Sequence, residues 1–156
     1  MAETGLMAKT VRVEGLKELD QALGELSKAG ARGVLRRVAV KALGPFDSRW
    51  RELAPKLEGH LSESGGIGTK LTRRQAAENK TRTDRAFVEV FAGPNDPAAV
   101  PQEFGTVELP PQPFARPAWE ETKGTALDIV KAELGGEIDK AAKRAARRAA
   151  KKAAAG

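Results

Sequence analysis

A chain of 156 residues has room for one domain with a modest core and short extensions, and with aromatics at only 4% that core must be largely aliphatic. The absence of cysteine excludes disulfides, thiolate nucleophiles and Cys-ligated zinc, and makes a reducing cytoplasm the natural expectation. Met1 to Val13 lacks the apolar run of a secretory signal, and no stretch approaches the ~20 apolar residues of a membrane span, so neither export by signal peptide nor membrane insertion is expected. The net charge of +6 is localised: Lys140 onward holds seven of the 27 basic residues and no acid, leaving 20 basic against 21 acidic residues before it.

In chain order, Val11 and Val13 alternate with Arg12 and predict a short first strand. Leu16, Leu19, Leu23 and Leu26 recur at helical spacing, with Gly30 and Gly33 expected to punctuate the chain after that helix. A longer apolar stripe through Leu35, Val38, Leu43, Phe46, Trp50, Leu53 and Leu57 keeps helical phase across Gly44 and Pro45. Proline lacks the amide donor and crowds the preceding turn, so this stripe predicts one kinked helix that stops near Ala54, before Pro55.

Between Gly59 and Arg85 the chain turns Ser/Gly-rich and then basic, through Lys70, Arg73, Arg74, Lys80, Arg82 and Arg85. Strands near Ile67–Leu71 and Ala86–Ala92 would make a long-looped hairpin. From Gly93 to Pro117 seven prolines confine regular structure to a turn or so near Ala98–Phe104. Pro117 is then suited to open a helix, with Glu120 and Glu121 in its first turn and Trp119, Leu127, Val130, Leu134 and Ile138 as its buried stripe, interrupted at Gly135 and Gly136. The expected organisation is an arm over 1–9, a domain over 10–136 and a basic, Ala-rich helical tail over 137–156.

Few residues invite a chemical reading. His60 is the only histidine, which a surface or structural role explains. Gly65-Gly66-Ile67-Gly68-Thr69-Lys70 has phosphate-loop composition, but its Lys does not follow a Gly, and Leu71 stands where a magnesium-coordinating Ser or Thr belongs. A hairpin approach is the simpler account. The carboxylate pairs Glu120/Glu121 and Glu133/Glu137 read as helix-surface charges. No catalytic, cofactor-binding or metal-binding residues are assigned, and the chain is expected not to be an enzyme.

The basic segment is more informative. Lys140, Lys143, Arg144, Arg147, Arg148, Lys151 and Lys152 fall on one face of a helix, with alanine on the rest. Like charges at i,i+4 repel, so an anionic surface, either DNA phosphates or an acidic protein face, would stabilise the stripe; the alternative is a solvated, frayed end.

The most specific stretch is Glu103-Phe104-Gly105-Thr106 followed by Pro110-Pro111-Gln112-Pro113-Phe114-Ala115-Arg116-Pro117-Ala118. It resembles the EFGT and PPxPFxRPA signature of the phage tail-component family typified by the tenth gene product of a lambda-like Hong Kong phage. Upstream, Ala54-Pro55 with Gly59 and Leu61 is similar to that family's junction between long helix and hairpin, and Val13-Glu14-Gly15-Leu16 to its strand-to-helix start. The likeness covers most of 11–134. Lys56-Leu57-Glu58 departs from it, and the basic extension lies outside it.

The resemblance implies an α+β domain with helices packed on a small twisted, mainly antiparallel sheet. It also implies a homo-oligomeric ring, typically of six, in the virion neck, as a tail-completion, tail-terminator or head–tail joining component of a siphophage. Its implied partners are head-closure or connector proteins and the tail tube protein, with genomic double-stranded DNA passing through the lumen. Glu103, Phe104, Gly105, Thr106, Pro113, Phe114, Arg116 and Pro117 are then the assembly motif, in which Phe104 and Phe114 anchor a contact or the loop presenting it. The fork-shaped guanidinium of Arg116 is expected to pair with an acidic group near the loop, Glu103 being the leading candidate. A small basic DNA-binding protein acting through the C-terminal stripe is the alternative, and a loop packed only on its own domain is the plainer account of the motif.

Overall fold

The computed structural model describes residues 16–56, 60–70, 77 and 87–156. In chain order these form α1 (Leu16–Gly24), α2 (Lys28–Ala42), α3 (Gly44–Leu53), α4 (His60–Glu63), β1 (Gly66–Gly68), β2 (Phe91–Gly93), α5 (Ala99–Phe104) and α6 (Ala115–Ala155). The fold is α+β: mainly helical, with a two-stranded antiparallel sheet and a long C-terminal helix. The strand expected at Val11–Val13, the motif residues Val13 to Gly15, Leu57, Gly59, and the loop cations Arg73, Arg74, Lys80, Arg82 and Arg85 lie outside the described residues.

Helix α6 is the spine, and the other helices pack along it in two clusters. Toward its C-terminal half, Leu134, Ile138 and Ala141 meet Leu23 of α1 and Ala31, Val34 and Val38 of α2. Toward its N-terminal end, Phe114 and Ala118 meet Phe46 and Trp50 of α3, with Ala54 and Leu61. Trp50 is fully buried and tilted against Phe114 at 6.1 Å between ring centroids. Both clusters draw on α6, which therefore crosses residues 136 and 137 without a break.

The segment ahead of Pro45 behaves as its composition requires. Leu43 keeps helical angles and serves as both the C-cap of α2 and the N-cap of α3. Its amide donates to the Ala39 carbonyl at 3.1 Å, and its carbonyl accepts from the Asp47 amide at 2.9 Å, so helical hydrogen bonding continues across the junction of the two helices. Pro45 sits in the first turn of α3, where its missing donor has no intrahelical partner to lose. Ala54 turns extended before Pro55, ending the helix at the expected place.

Two expectations about glycine need correction. Gly30 and Gly33 lie inside α2, which begins earlier because Ser27 caps it, accepting from the Gly30 amide at 3.2 Å. Gly135 and Gly136 likewise do not interrupt α6. Glycine costs a helix interior about 1 kcal/mol each; burial of the flanking apolar residues offsets that cost, and cross-helix ion pairs fix the register.

Those pairs are Arg37 with Glu137 at 2.7 Å, Lys41 with Glu133 at 2.6 Å, and Arg49 with Glu121. Rising numbers in α2 and α3 meet falling numbers in α6, as antiparallel helices demand. Exposed pairs are worth only about 0–1 kcal/mol each, so they set register more than stability. Hydrogen bonds from Arg49 to Glu121, and from Arg37 and Lys140 to Glu137, hold both carboxyls below the usual glutamate range. Glu121, Glu133 and Glu137 thus clasp helices together, beyond the solubilising role their spacing suggests.

The hairpin is antiparallel, with Gly66 opposite Gly93, Ile67 opposite Ala92 and Gly68 opposite Phe91. Its strands are shorter than expected: residues 87–90 are not assigned as strand, and Leu71 and Ala86 lie outside the described residues. The glycine run serves close approach, because Gly65 has φ +68° and a Cβ there would lie 2.0 Å from the Gly93 carbonyl oxygen. Arg51 ties α3 to this region, donating to Asp47 at 2.9 Å, to the Ser62 carbonyl at 2.6 Å and to the Gly65 carbonyl at 3.2 Å.

The buried stripe of α6 is rotated from the expected one. Ala118, Thr122, Ala126, Leu134, Ile138 and Ala141 are buried, while Trp119 is 43% exposed and Leu127 and Val130 are half-buried. The α3 contact is made by the small Ala118, whereas Leu134 and Ile138 meet α2. Trp119 rests at the flank, edge-on to Phe46, 5.8 Å between centroids.

Candidate assembly site

The signature block folds into one device at the start of α6. Asp96 begins it, accepting from the Ala98 amide at 2.8 Å through its side chain and from the Ala99 amide at 3.0 Å through its carbonyl. The short α5 that follows, over the expected stretch, turns Glu103 inward until it is 5% exposed.

Buried carboxylates need partners, and Glu103 has a full set. One oxygen accepts from the amides of Phe114 at 2.7 Å and Ala115 at 2.9 Å. The other accepts from the Arg116 amide at 3.1 Å and its Nε at 2.9 Å, while Arg116 Nη2 donates to the Glu103 carbonyl at 3.0 Å. The expected Glu103–Arg116 pair is present. It is also part of something larger: Phe114, at the N-cap position, offers no side-chain cap, and α5 supplies the acceptor from 11 residues away. Burial pushes the Glu103 carboxyl upward, but the amides of Phe114 and Ala115, with Arg116, outweigh it and hold the group below its usual range.

Helix α6 begins at Ala115, so Pro117 is its third residue instead of its first, and Glu120 and Glu121 fall beyond the first turn. The acidic charge serving that turn comes from Glu103. Pro117 is tolerated because first-turn amides have no intrahelical acceptor.

Between the two halves of the signature, residues 105–111 form a braced finger. Gly105 takes φ +78°, and a Cβ there would stand 2.8 Å from the Pro111 nitrogen and 2.9 Å from the Leu109 oxygen. Its amide donates to the Pro101 carbonyl at 2.8 Å, and Gln112 donates to the Gln102 carbonyl at 2.7 Å. Thr106 closes the tip: its amide donates to the Leu109 carbonyl at 2.9 Å, and its hydroxyl accepts from the amides of Leu109 at 3.0 Å and Glu108 at 3.3 Å. Pro110, Pro111 and Pro113 stiffen the return.

The two motif phenylalanines part company here. Phe114 is 1% exposed and anchors the finger in the core, whereas Phe104 is 63% exposed, with the Arg116 guanidinium 5.0 Å over its ring. Val100, Val107 and Leu109 are also exposed, Val107 completely. Sequence reasoning missed Val107 and Leu109; the signal was two apolar residues around an acid, ahead of Pro110, in a segment too short to bury them.

The basic stripe continues α6 as helix. Lys140 pairs with Glu137 at 3.1 Å, but Lys143, Arg144, Arg147, Arg148, Lys151 and Lys152 are exposed and make no ion pair among the described residues. His60 opens α4 at the surface, away from any cluster of metal-ligating side chains among the described residues. No described helix is long and apolar enough to cross a membrane.

Comparison of the chain with protein-family models, curated proteins and solved structures finds no match.

Proposed function

We propose that this protein is a structural component of the neck of a tailed phage, forming a ring of six subunits that completes or terminates the tail, joins it to the head and lets the genome pass. It would be made in the cytoplasm of the bacterial host and carried in the virion, in contact with connector proteins and the tail tube. Beside the resemblance of its signature block, one observation carries this reading: the polar groups of the block brace a stiff finger that holds apolar side chains out to solvent on either side of Glu108. Glu103, Arg116, Gly105 and Thr106 are all engaged in internal support, and what they present outward is Phe104, Val107 and Leu109. Preorganised apolar loops suit association, because little conformational entropy remains to be lost on docking. Size measurement and negative-stain imaging of the purified protein and of virions test it; a protein that stays monomeric and is missing from particles would refute it.

A second reading, a basic DNA-binding protein, has the projecting end of α6 in its favour. Residues 142–155 are all exposed, and the 13 residues from Lys143 extend about 20 Å with six cations that make no ion pair among the described residues. Because Ala141 is still part of the core, the informative truncation falls after Ala142. It is expected to change unfolding free energy by no more than about 0.5 kcal/mol. Loss of head–tail joining with intact rings would assign the stripe to a protein partner. Loss of salt-sensitive duplex binding or of genome retention alone would assign it to DNA.

A further inference from the structure

The row of cations on the end of α6 begins in a recess. Where α6 passes the start of α2, a pocket of about 270 Å³ is walled by Gly30, Gly33 and Arg37 of α2 and by Arg144, Ala145 and Arg148 of α6. Glycine at two of the α2 positions leaves the space open, and Arg37 Nη1 lies 3.4 Å from where a Cβ on Gly33 would stand. Three guanidinium groups line the pocket and no carboxylate does. Arg37 donates through Nε to Glu137 at 2.7 Å, and Glu137 also accepts from Lys140 at 3.1 Å, so that one acid is shared by two cations. Arg144 and Arg148, one helical turn apart, make no ion pair among the described residues. Like charges at this spacing repel, and an anion seated between them turns the repulsion into attraction.

We infer that this pocket seats a backbone phosphate of duplex DNA, held by Arg144 and Arg148 with Arg37 across from them. A guanidinium fork matches phosphate oxygens in pairs, and three of them around one recess fix a phosphate in position where a single exposed cation only attracts it. Lys151 and Lys152 stand one turn farther out, about 5 Å along the helix, which suits a polyanion with regularly spaced charges. A protein surface fits this end less well. Residues 142–155 are only alanine, lysine and arginine, so they offer none of the aromatic or large aliphatic anchors on which protein interfaces depend, whereas cations alone hold phosphates. The inference rests on the DNA reading of the basic stripe and gives that reading a defined seat.

Two full-length variants that remove equal charge test it: Arg144→Gln/Arg148→Gln within the pocket and Lys151→Gln/Lys152→Gln beyond it. All four positions are exposed, so both variants should fold as the parent does. Each is titrated with a short labelled duplex in sodium chloride, and again with inorganic phosphate at matched ionic strength. The pocket pair is expected to weaken duplex binding about tenfold more than the outer pair. Inorganic phosphate should displace the duplex from the parent more effectively than chloride, and this difference should vanish in the pocket pair. Equal weakening by the two pairs would overturn the seat and leave the DNA reading standing; if the phosphate effect nonetheless vanishes with the pocket pair, the pocket takes free phosphate instead. Unchanged duplex binding by the pocket pair, with head–tail joining lost, would assign the pocket to acidic groups of a protein partner and overturn the inference. A parent that binds no duplex even at low salt would overturn both the seat and the DNA reading.

Discussion

Phe114→Ala is expected to lower the free energy of unfolding by about 3–5 kcal/mol, and Phe104→Ala by less than about 1 kcal/mol. Both residues belong to one signature and lie ten positions apart, yet their surroundings are opposite. Phe114 is 1% exposed, packs against the fully buried Trp50, and joins the α3–α4 cluster to the first turn of the spine. Its truncation removes a large apolar group and leaves a void that neighbours held by Glu103 and Arg51 fill only in part. A domain of this size has only about 5–15 kcal/mol in total, so the loss would be visible as a large fall in the urea midpoint. Phe104 is mostly solvated, with the Arg116 guanidinium above its ring. On the proposed neck role the ranking should change in virion assembly: Phe104→Ala, folded and stable, is then expected to give separate heads and tails. Equal destabilisation by the two substitutions would mean that the finger is packed on its own domain.

Removing the Glu103 carboxylate is expected to be nearly as damaging, because it leaves several groups without their acceptor at once. Glu103→Ala strips three backbone amides and the Arg116 side chain of that partner, and an unsatisfied buried donor costs about 1–3 kcal/mol. The first turn of α6 and the finger would loosen together, and a loss of about 3 kcal/mol or more is expected. Glu103→Gln keeps an acceptor oxygen but no charge, and should recover part of the loss. The pH dependence has a definite sign. The folded carboxyl lies below its usual value, so its contribution is fully present above the unfolded glutamate pKa of about 4.3 and is lost as pH falls through the lower folded value. Denaturation curves taken from about pH 6 to 3 should show the parent losing more stability than Glu103→Gln, so the two converge in acid. An identical acid slope in parent and variant would show that this carboxylate is not held charged by the helix start.

Local chemistry made much of this legible in advance. Pro55 dictated where α3 stops, the prolines of 94–117 limited α5 to a short turn, and thirteen residues separate a carboxylate from a guanidinium on a stiff loop, close enough to anticipate Glu103 with Arg116. These effects act over a turn or a loop, and residue type alone carries them. Burial is different, because it depends on which face of a helix a distant segment meets. An apolar period marks a stripe, but the residues of α6 that are buried include Ala118, Thr122 and Ala126, which leaves Trp119 at the flank. Burial of Leu134 and Ile138 against α1 and α2 carries α6 through Gly135 and Gly136, a support that local propensity lacks. Whether a phenylalanine is an anchor or a free surface was likewise decided only in three dimensions, where Trp50 lies beside Phe114 and solvent covers most of Phe104.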